Sequence, residues 1–185
     1  MSKVYCLLKN GFEEVEALTV VDYLRRADID IDLVSVEDGL EIEGAHGIKV
    51  LADINFDKID EEKLDMVFIP GGMPGASSLR DDDRVIDLIK RSDDRGRIIA
   101  AICAGPIVLE KAGVLKGKKV TSYPGFEKEL SSIGKYCEDR VVVDENIVSS
   151  RGPALAVVFA LELIELVKGK EKRDDIAGDI LFDQL

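Results

Sequence analysis

Short apolar runs alternate with longer amphipathic stretches along most of this chain, and this alternation is the strongest constraint on its fold. A short apolar run is typical of a buried strand, whereas apolar residues that recur every three or four positions are typical of a helix. Strands that alternate with helices become parallel neighbours in a sheet whose two faces the helices cover. The pattern therefore predicts an α/β fold, a three-layer sandwich with a mostly parallel sheet.

The predicted elements fill the chain without a repeat or a linker, and a length of 185 residues suits a single domain over 1–185. Residues 40–51 carry glycines among apolar residues, which predicts a small hairpin. Residues 174–185 form either a short helix or a tail. We predict strands at Val4–Leu8, Ile31–Val36, Met66–Ile69, Ile98–Ile102, 119–122, 141–143 and 147–150, and helices at Glu13–Ala27, Asp83–Ser92, Pro106–Ala112 and Pro153–Val167.

Charge and cysteine content exclude several classes of partner. A formal net charge of -12 repels phosphate and anionic lipid, so we expect neither nucleic acid nor membrane as a partner. Three cysteines without a secretory signal pattern indicate free thiols in a reducing compartment, so we expect a cytoplasmic protein. Without a Cys-x-x-Cys pair and with one histidine, we expect no structural metal site.

The run from Ile98 to Ile102 is followed directly by Cys103, then by two small residues and Pro106. This arrangement is the cysteine counterpart of the nucleophile elbow, which lifts a side chain above the sheet. Pro106 suits the first turn of the next helix, and a helix amino terminus lowers the pKa of a thiol. Cys103 is therefore a candidate nucleophile. A buried cysteine that packs as a small apolar residue fits the same spacing.

Glu13, Glu14 and Glu16 fall in the first turn of the first predicted helix. Carboxylates there complement the helix dipole, which accounts for two of them. Glu16 lies at the edge of the apolar face, so we expect it to point inward, where burial would raise its pKa. Both Glu16 and Cys103 follow the carboxyl ends of strands, where open α/β sheets hold their ligands. We therefore expect Glu16 to donate a hydrogen bond or to shuttle protons.

Two adjacent glycines, Gly71 and Gly72, follow the strand at Met66–Ile69. Glycine permits close approach of the backbone, so N–H groups of this turn would form an oxyanion hole with that of Ala104. A purely structural Gly-Gly turn is the alternative.

Two polar residues outside these segments are accessory candidates. Arg151 precedes the helix that begins at Pro153, where it either faces an anion or pairs with an acidic neighbour. His46, the only histidine, lies in a glycine-rich turn and is interpreted as solvated. Any Cys–His dyad must use His46, because the chain has no other histidine, and alanine after Cys103 excludes a dyad with an adjacent histidine.

Four segments together resemble the DJ-1/ThiJ/PfpI superfamily, and the resemblance runs from Val4 to about residue 170. Cys-Ala-Gly-Pro at 103–106 matches the DJ-1-like branch, whereas the PfpI protease branch has a histidine after the cysteine. The resemblance implies a flavodoxin-like (class I glutamine amidotransferase-like) sandwich that forms a homodimer. The four segments are Gly11–Glu16, Ile69–Ala76, Ala100–Pro106 and Ser150–Pro153.

The resemblance also implies roles for residues of the site. By position, Cys103 matches the reactive cysteine of the family and Glu16 matches the carboxyl that forms a hydrogen bond with it. Gly72 and Ala104 match the backbone donors around the cysteine. Arg26 matches an arginine near an anion site close to the dimer interface.

Two positions depart from the family pattern. Tyr123 stands where some relatives have a histidine beside the cysteine, which puts imidazole assistance in doubt. His46 stands where some relatives have an arginine that reaches toward the partner's site, so the electrostatics of the interface would differ.

The resemblance implies a stress-response protein that acts on small reactive aldehydes without a cofactor, as glyoxalase III or deglycase enzymes do. The alternatives are a non-catalytic redox sensor or chaperone-like binding protein and, less favoured, a cysteine peptidase. We expect Cys103 to be oxidised before Cys6, which lies within a strand, and before Cys137, whose acidic neighbours disfavour its thiolate if it is exposed.

Overall fold

The computed structural model describes residues 3–184, and its elements follow the predicted alternation. The strands are β1 (Lys3–Leu8), β2 (Asp30–Ser35), β3 (Glu41–Glu43), β4 (Lys49–Leu51), β5 (Ile54–Asn55), β6 (Leu64–Ile69), β7 (Ile98–Ile102), β8 (Lys119–Val120), β9 (Lys135–Tyr136), β10 (Val141–Asp144) and β11 (Ile147–Ser150). The helices are α1 (Glu14–Arg26), α2 (Gly75–Arg80), α3 (Asp83–Asp94), α4 (Pro106–Ala112), α5 (Ala156–Lys168) and α6 (Lys170–Asp179).

The central sheet has seven strands in the order β10-β11-β7-β6-β1-β2-β5, and only β10 runs antiparallel to its neighbour. From β1 the chain moves to β2 on one side, and it later adds β6 and β7 on the other. The topological switch point therefore lies between β1 and β6. In open α/β sheets the crevice beyond the carboxyl ends of strands at such a point holds the ligand.

Alternation along β1 shows how the three layers form. Val4, Cys6 and Leu8 face a core built with α1, α5 and α6. Tyr5 and Leu7 face a second core built with α2, α3 and α4. Because successive strand residues point to opposite faces, one buried strand supplies both cores. The predicted three-layer sandwich with a mostly parallel sheet is confirmed.

The predicted hairpin is present as the antiparallel pair of β3 and β4. It docks against the loop that follows β1. Gly11 N donates to Glu43 O at 2.8 Å, and Ala45 N donates to Phe12 O at 2.8 Å. The hairpin is thereby attached to the segment that enters α1.

Three stretches differ from the prediction. The glycine-rich turn after β6 continues directly into α2, a helix too short to show a period in the sequence. Helix α6 covers residues 174–179 of the terminal stretch and a 3₁₀ turn covers Phe182–Gln184, so most of this stretch is helical, while Leu185 lies outside the described residues. Leu166 of α5 is exposed, which makes that helix less buried than its composition predicted. Between residues 3 and 184, no helix combines the length and the hydropathy needed to cross a bilayer.

Candidate active site

Cys103 lies between β7 and α4 with a φ of 61, the left-handed region that non-glycine residues rarely adopt. Its neighbours hold this strained position, because Cys103 N donates to Ser150 O at 3.0 Å and Tyr123 N donates to Cys103 O at 3.0 Å. Strained residues at a strand–helix junction are typical of functional sites. The predicted elbow is therefore present.

Glu16 points inward from the first turn of α1 and is 0% exposed. Its Oε2 accepts a hydrogen bond of 2.8 Å from Gly71 N, whereas its Oε1 is buried and has no partner among residues 3–184. Burial raises the pKa of Glu16 to about 7, although the Gly71 N–H and a hydrogen bond with Cys103 act in the opposite direction. A carboxyl group with that pKa can both hold and release a proton near neutral pH.

Gly71 brings the two side chains together. A Cβ at this position would lie 2.6 Å from Glu16 Oε2, 2.6 Å from Cys103 Cβ and 3.0 Å from Cys103 Sγ. Any larger residue would therefore displace the carboxyl or the thiol. Sequence reasoning noted this glycine only as part of a turn, because what it contacts depends on where the other two segments lie.

The backbone donors expected around the cysteine are also in place. The N–H groups of Ala104 and Gly72 form hydrogen bonds with Cys103 and lower the pKa of its thiol. Gly72 adopts a φ of +89 and lies against the backbone of Glu13, where a Cβ would not fit. These donors can stabilise negative charge on sulfur or on an oxygen bound to it.

The expected low pKa of Cys103 is wrong. Burial raises the pKa of the thiol above its ordinary value, and the charge of Glu16 and the hydrogen bond with it raise it further. The prediction relied on the amino terminus of α4, a helix of only 7 residues, and overlooked desolvation. A proton on Glu16 would remove the negative charge that raises the pKa of Cys103. The ionisation of the thiol and the protonation of Glu16 are therefore coupled.

Accessibility now supports the predicted order of oxidation. Cys6 is 0% exposed, and burial raises the pKa of its thiol. Cys137, considered as an exposed residue, is buried, because its segment packs beside β8 through Cys137 N and Val120 O. Cys103 is the only partly exposed thiol of the three. We expect limited peroxide to modify Cys103 first, which mass spectrometry of digested protein checks; earlier modification of Cys137 would contradict this order.

Glu14 does more than complement the helix dipole, which corrects the first interpretation. It is 3% exposed, and its carboxylate accepts hydrogen bonds from His46 N at 2.7 Å and from His46 Nδ1 at 2.8 Å. Burial raises the pKa of Glu14, but these bonds outweigh burial and lower it. His46 is therefore bound to Glu14, although its ring is largely exposed.

Glu13, Glu14 and His46 are also the one group in the described part of the chain whose ligand atoms lie close enough to hold a metal ion, within 4.8 Å of one another. The imidazole nitrogen of this group already donates to Glu14. We therefore interpret the three residues as a hydrogen-bonded cluster and assign no metal to them.

The remaining accessory candidates occupy different places. Arg26 pairs with Asp22 at 2.8 Å, and it follows Glu16 by ten residues, about 15 Å along α1. Arg26 therefore does not lie beside Cys103 of the same chain. Arg151 donates through Nη1 to Glu138 O at 2.9 Å, so one of its N–H groups binds a backbone oxygen. Tyr123 flanks the elbow, and its ring lies against Gly152. A Cβ added at Gly152 would be 3.2 Å from that ring.

A profile of the DJ-1/PfpI family matches residues 2–166. The chain belongs to the DJ-1/PfpI family. This result confirms the resemblance inferred from the four sequence segments. The structure of oxidized Toxoplasma gondii DJ-1 aligns with a TM-score of 0.93 and 38% identity and covers 98% of each chain, which confirms the flavodoxin-like fold.

Three sequence relatives differ from one another in length and in name. Protein DJ-1 homolog B of Arabidopsis thaliana is 36% identical over 97% of this chain, which spans only 41% of that relative. The chain likewise spans 45% of Arabidopsis DJ-1 homolog A, so it is less than half as long as these two family members. A Pyrococcus horikoshii protein named deglycase is 36% identical, and the alignment covers 90% of this chain and 99% of that protein.

Proposed function

We propose that this DJ-1/PfpI protein acts on small reactive aldehydes, as glyoxalase III or deglycase enzymes do, and converts 2-oxoaldehydes to hydroxy acids with Cys103 as the nucleophile and without a cofactor. The single observation that supports this most is the convergence on Cys103 of the Glu16 carboxyl and the N–H groups of Gly72 and Ala104. Nucleophile, proton carrier and oxyanion donors are what aldehyde chemistry requires. The deglycase name of a relative agrees with it.

For methylglyoxal, Cys103 Sγ would bond to the aldehyde carbon, and the aldehyde oxygen would take up the thiol proton to give a hemithioacetal. Glu16 would remove the proton from that carbon and return it to the neighbouring carbonyl carbon, while the hydroxyl proton of the hemithioacetal passes to the oxygen of that carbonyl, which leaves a thioester of lactate. Water would then cleave the carbon–sulfur bond, releasing lactate and the thiol. The backbone N–H groups would stabilise the oxyanions of the first and last steps.

The test is whether purified protein turns over methylglyoxal. We expect lactate to accumulate in large molar excess over protein and far faster than with an equal concentration of a simple thiol. Formation of one adduct per chain without release of lactate would reject the enzyme.

The second candidate is a non-catalytic redox sensor or chaperone-like binding protein. The observation that favours it is the burial of Cys103 beside Glu16, which raises the thiol pKa and suppresses the thiolate at neutral pH. A cysteine peptidase is disfavoured, because the one histidine, His46, is bound to Glu14.

Assembly and location belong to the same proposal. We propose a homodimer formed through α1 and the hairpin, because Val15, Ile48 and Leu51 expose 52%, 54% and 71% of their surface there. Light scattering at micromolar concentration should give twice the mass of one chain, and a monomer would contradict the dimer.

We propose a cytoplasmic location from the three free cysteines, which favour a reducing compartment.

A further inference from the structure

The hairpin turn between β3 and β4 closes around the carboxylate of Glu14, a contact that the proposed reaction does not use. Glu14 Oε1 accepts hydrogen bonds from His46 N at 2.7 Å and from Ile48 N at 3.4 Å, and Oε2 accepts one from His46 Nδ1 at 2.8 Å. Gly44 packs so closely on this carboxyl that a Cβ would collide with it. Both carboxylate oxygens are therefore committed to the hairpin.

The segment held in this way is the start of α1, which has no cap of its own. Glu13 occupies the cap position, and its side chain makes no capping hydrogen bond. The first backbone N–H groups of a helix have no partners within the helix, so an uncapped first turn is easily distorted. The hydrogen bonds between Glu14 and the hairpin turn fix this first turn from outside the helix, without serving as a cap for its N–H groups.

The same first turn carries Glu16, two residues after Glu14. On the side of the elbow, Glu13 N donates to Gly71 O at 2.9 Å, and Gly71 N donates to Glu16 Oε2 at 2.8 Å. Glu16 Oε1 has no protein partner within residues 3–184. The place of the Glu16 carboxyl thus depends on the backbone of the turn that carries it, together with the hydrogen bonds to Gly71 N and to Cys103.

We infer that Glu14 is a positioning residue, which binds the hairpin turn, holds the uncapped first turn of α1 and so sets the approach of the Glu16 carboxyl to Cys103. Its effect on turnover rests on the proposed function. Its effect on the thiol does not, because the Glu16 carboxylate changes the reactivity of Cys103 whether or not an aldehyde is turned over.

A double-mutant cycle on the full chain tests the inference with two readouts, alkylation of Cys103 by iodoacetamide at pH 7 and turnover of methylglyoxal. In Glu14→Ala we expect alkylation to rise severalfold toward the rate of Glu16→Gln, and turnover to fall by about tenfold or more, since small misplacements of reacting groups have effects of this size. Added to Glu16→Gln, the same substitution should change neither rate, because residues that act through one another are not additive.

Two control variants distinguish the loss of the Glu14 hydrogen bonds to the hairpin from the loss of the Glu14 charge and from a general loss of hairpin stability. Glu14→Gln removes the charge but keeps an oxygen for His46 N and an amide N–H for His46 Nδ1, so it should retain nearly the parental rates. Glu41→Ala removes an exposed hairpin ion pair with Lys49 that does not contact α1, so it should leave both rates unchanged. All variants should have the mass and the urea midpoint of a folded protein.

Equal effects of Glu14→Ala in the parental and the Glu16→Gln backgrounds would overturn the inference. So would a Glu14→Gln variant as impaired as Glu14→Ala. If Glu14→Ala does not fold, His46→Ala is the alternative variant. It removes only the hydrogen bond from His46 Nδ1 to Glu14, one of three, and the His46 ring is exposed. We expect it to raise the alkylation rate of Cys103 as well, but by less than Glu14→Ala would. Alkylation unchanged in that variant would then overturn the inference. Absence of turnover in the parental protein would reject the proposed function alone, since the alkylation cycle still reports on Glu14.

Discussion

Replacing Cys103 by serine is expected to abolish lactate formation from methylglyoxal, by a factor of roughly 10³ or more. Serine has nearly the same shape and leaves the elbow intact, with its φ of 61 and its hydrogen bonds to Ser150 and Tyr123. Its hydroxyl loses a proton far less readily than a thiol and is the poorer nucleophile. The measurement is a lactate assay on matched amounts of the two proteins.

Cys137→Ala is the matched control for that experiment. It removes a buried thiol that forms none of the hydrogen bonds of the elbow described above, and it should leave turnover unchanged. If Cys103→Ser formed lactate at the parental rate, Cys103 would not be the nucleophile and the proposed function would be wrong.

Replacing Glu16 by glutamine is expected to lower turnover by about 10²- to 10⁴-fold, the usual contribution of a positioned proton carrier. Glutamine has nearly the same shape and keeps an oxygen for the N–H of Gly71, so the site should stay folded. Its amide neither takes up nor releases a proton near neutral pH, which stops transfer between the two carbons of the substrate.

The same variant should make Cys103 more reactive toward iodoacetamide at pH 7. The charge of Glu16 raises the pKa of the thiol, so its removal increases the thiolate fraction. Turnover that falls while alkylation rises separates the loss of a proton carrier from the loss of the fold. A parallel fall in both rates would indicate a collapsed site, and unchanged turnover would mean that Glu16 carries no proton in the reaction.

The sheet and the elbow were predictable from the sequence because both rest on local patterns. Apolar runs of strand length repeat between amphipathic helices, and that period alone implies helices on both sides of a parallel sheet. Cys103 could be located because an apolar strand, two small residues and Pro106 follow one another without a gap. Glu16 could be named as a candidate because it lies at the edge of the apolar face of α1.

Contacts between distant segments were decided only by the tertiary structure. Gly71 looks like any turn glycine in the sequence, and its need to lack a Cβ arises because Glu16 and Cys103 meet beside it. Glu14 resembles a dipole-stabilising residue until the hairpin places His46 against its carboxyl.

Protonation was likewise beyond the sequence. A cysteine before a helix predicts a lowered thiol pKa, yet desolvation and the Glu16 carboxylate raise it. Periodicity fixes which face of an element is apolar, so it determines layers and the order of segments at a sheet edge. The pKa of a group depends on the water and charge around it, and these are set by residues far apart in the chain that only the folded protein brings together.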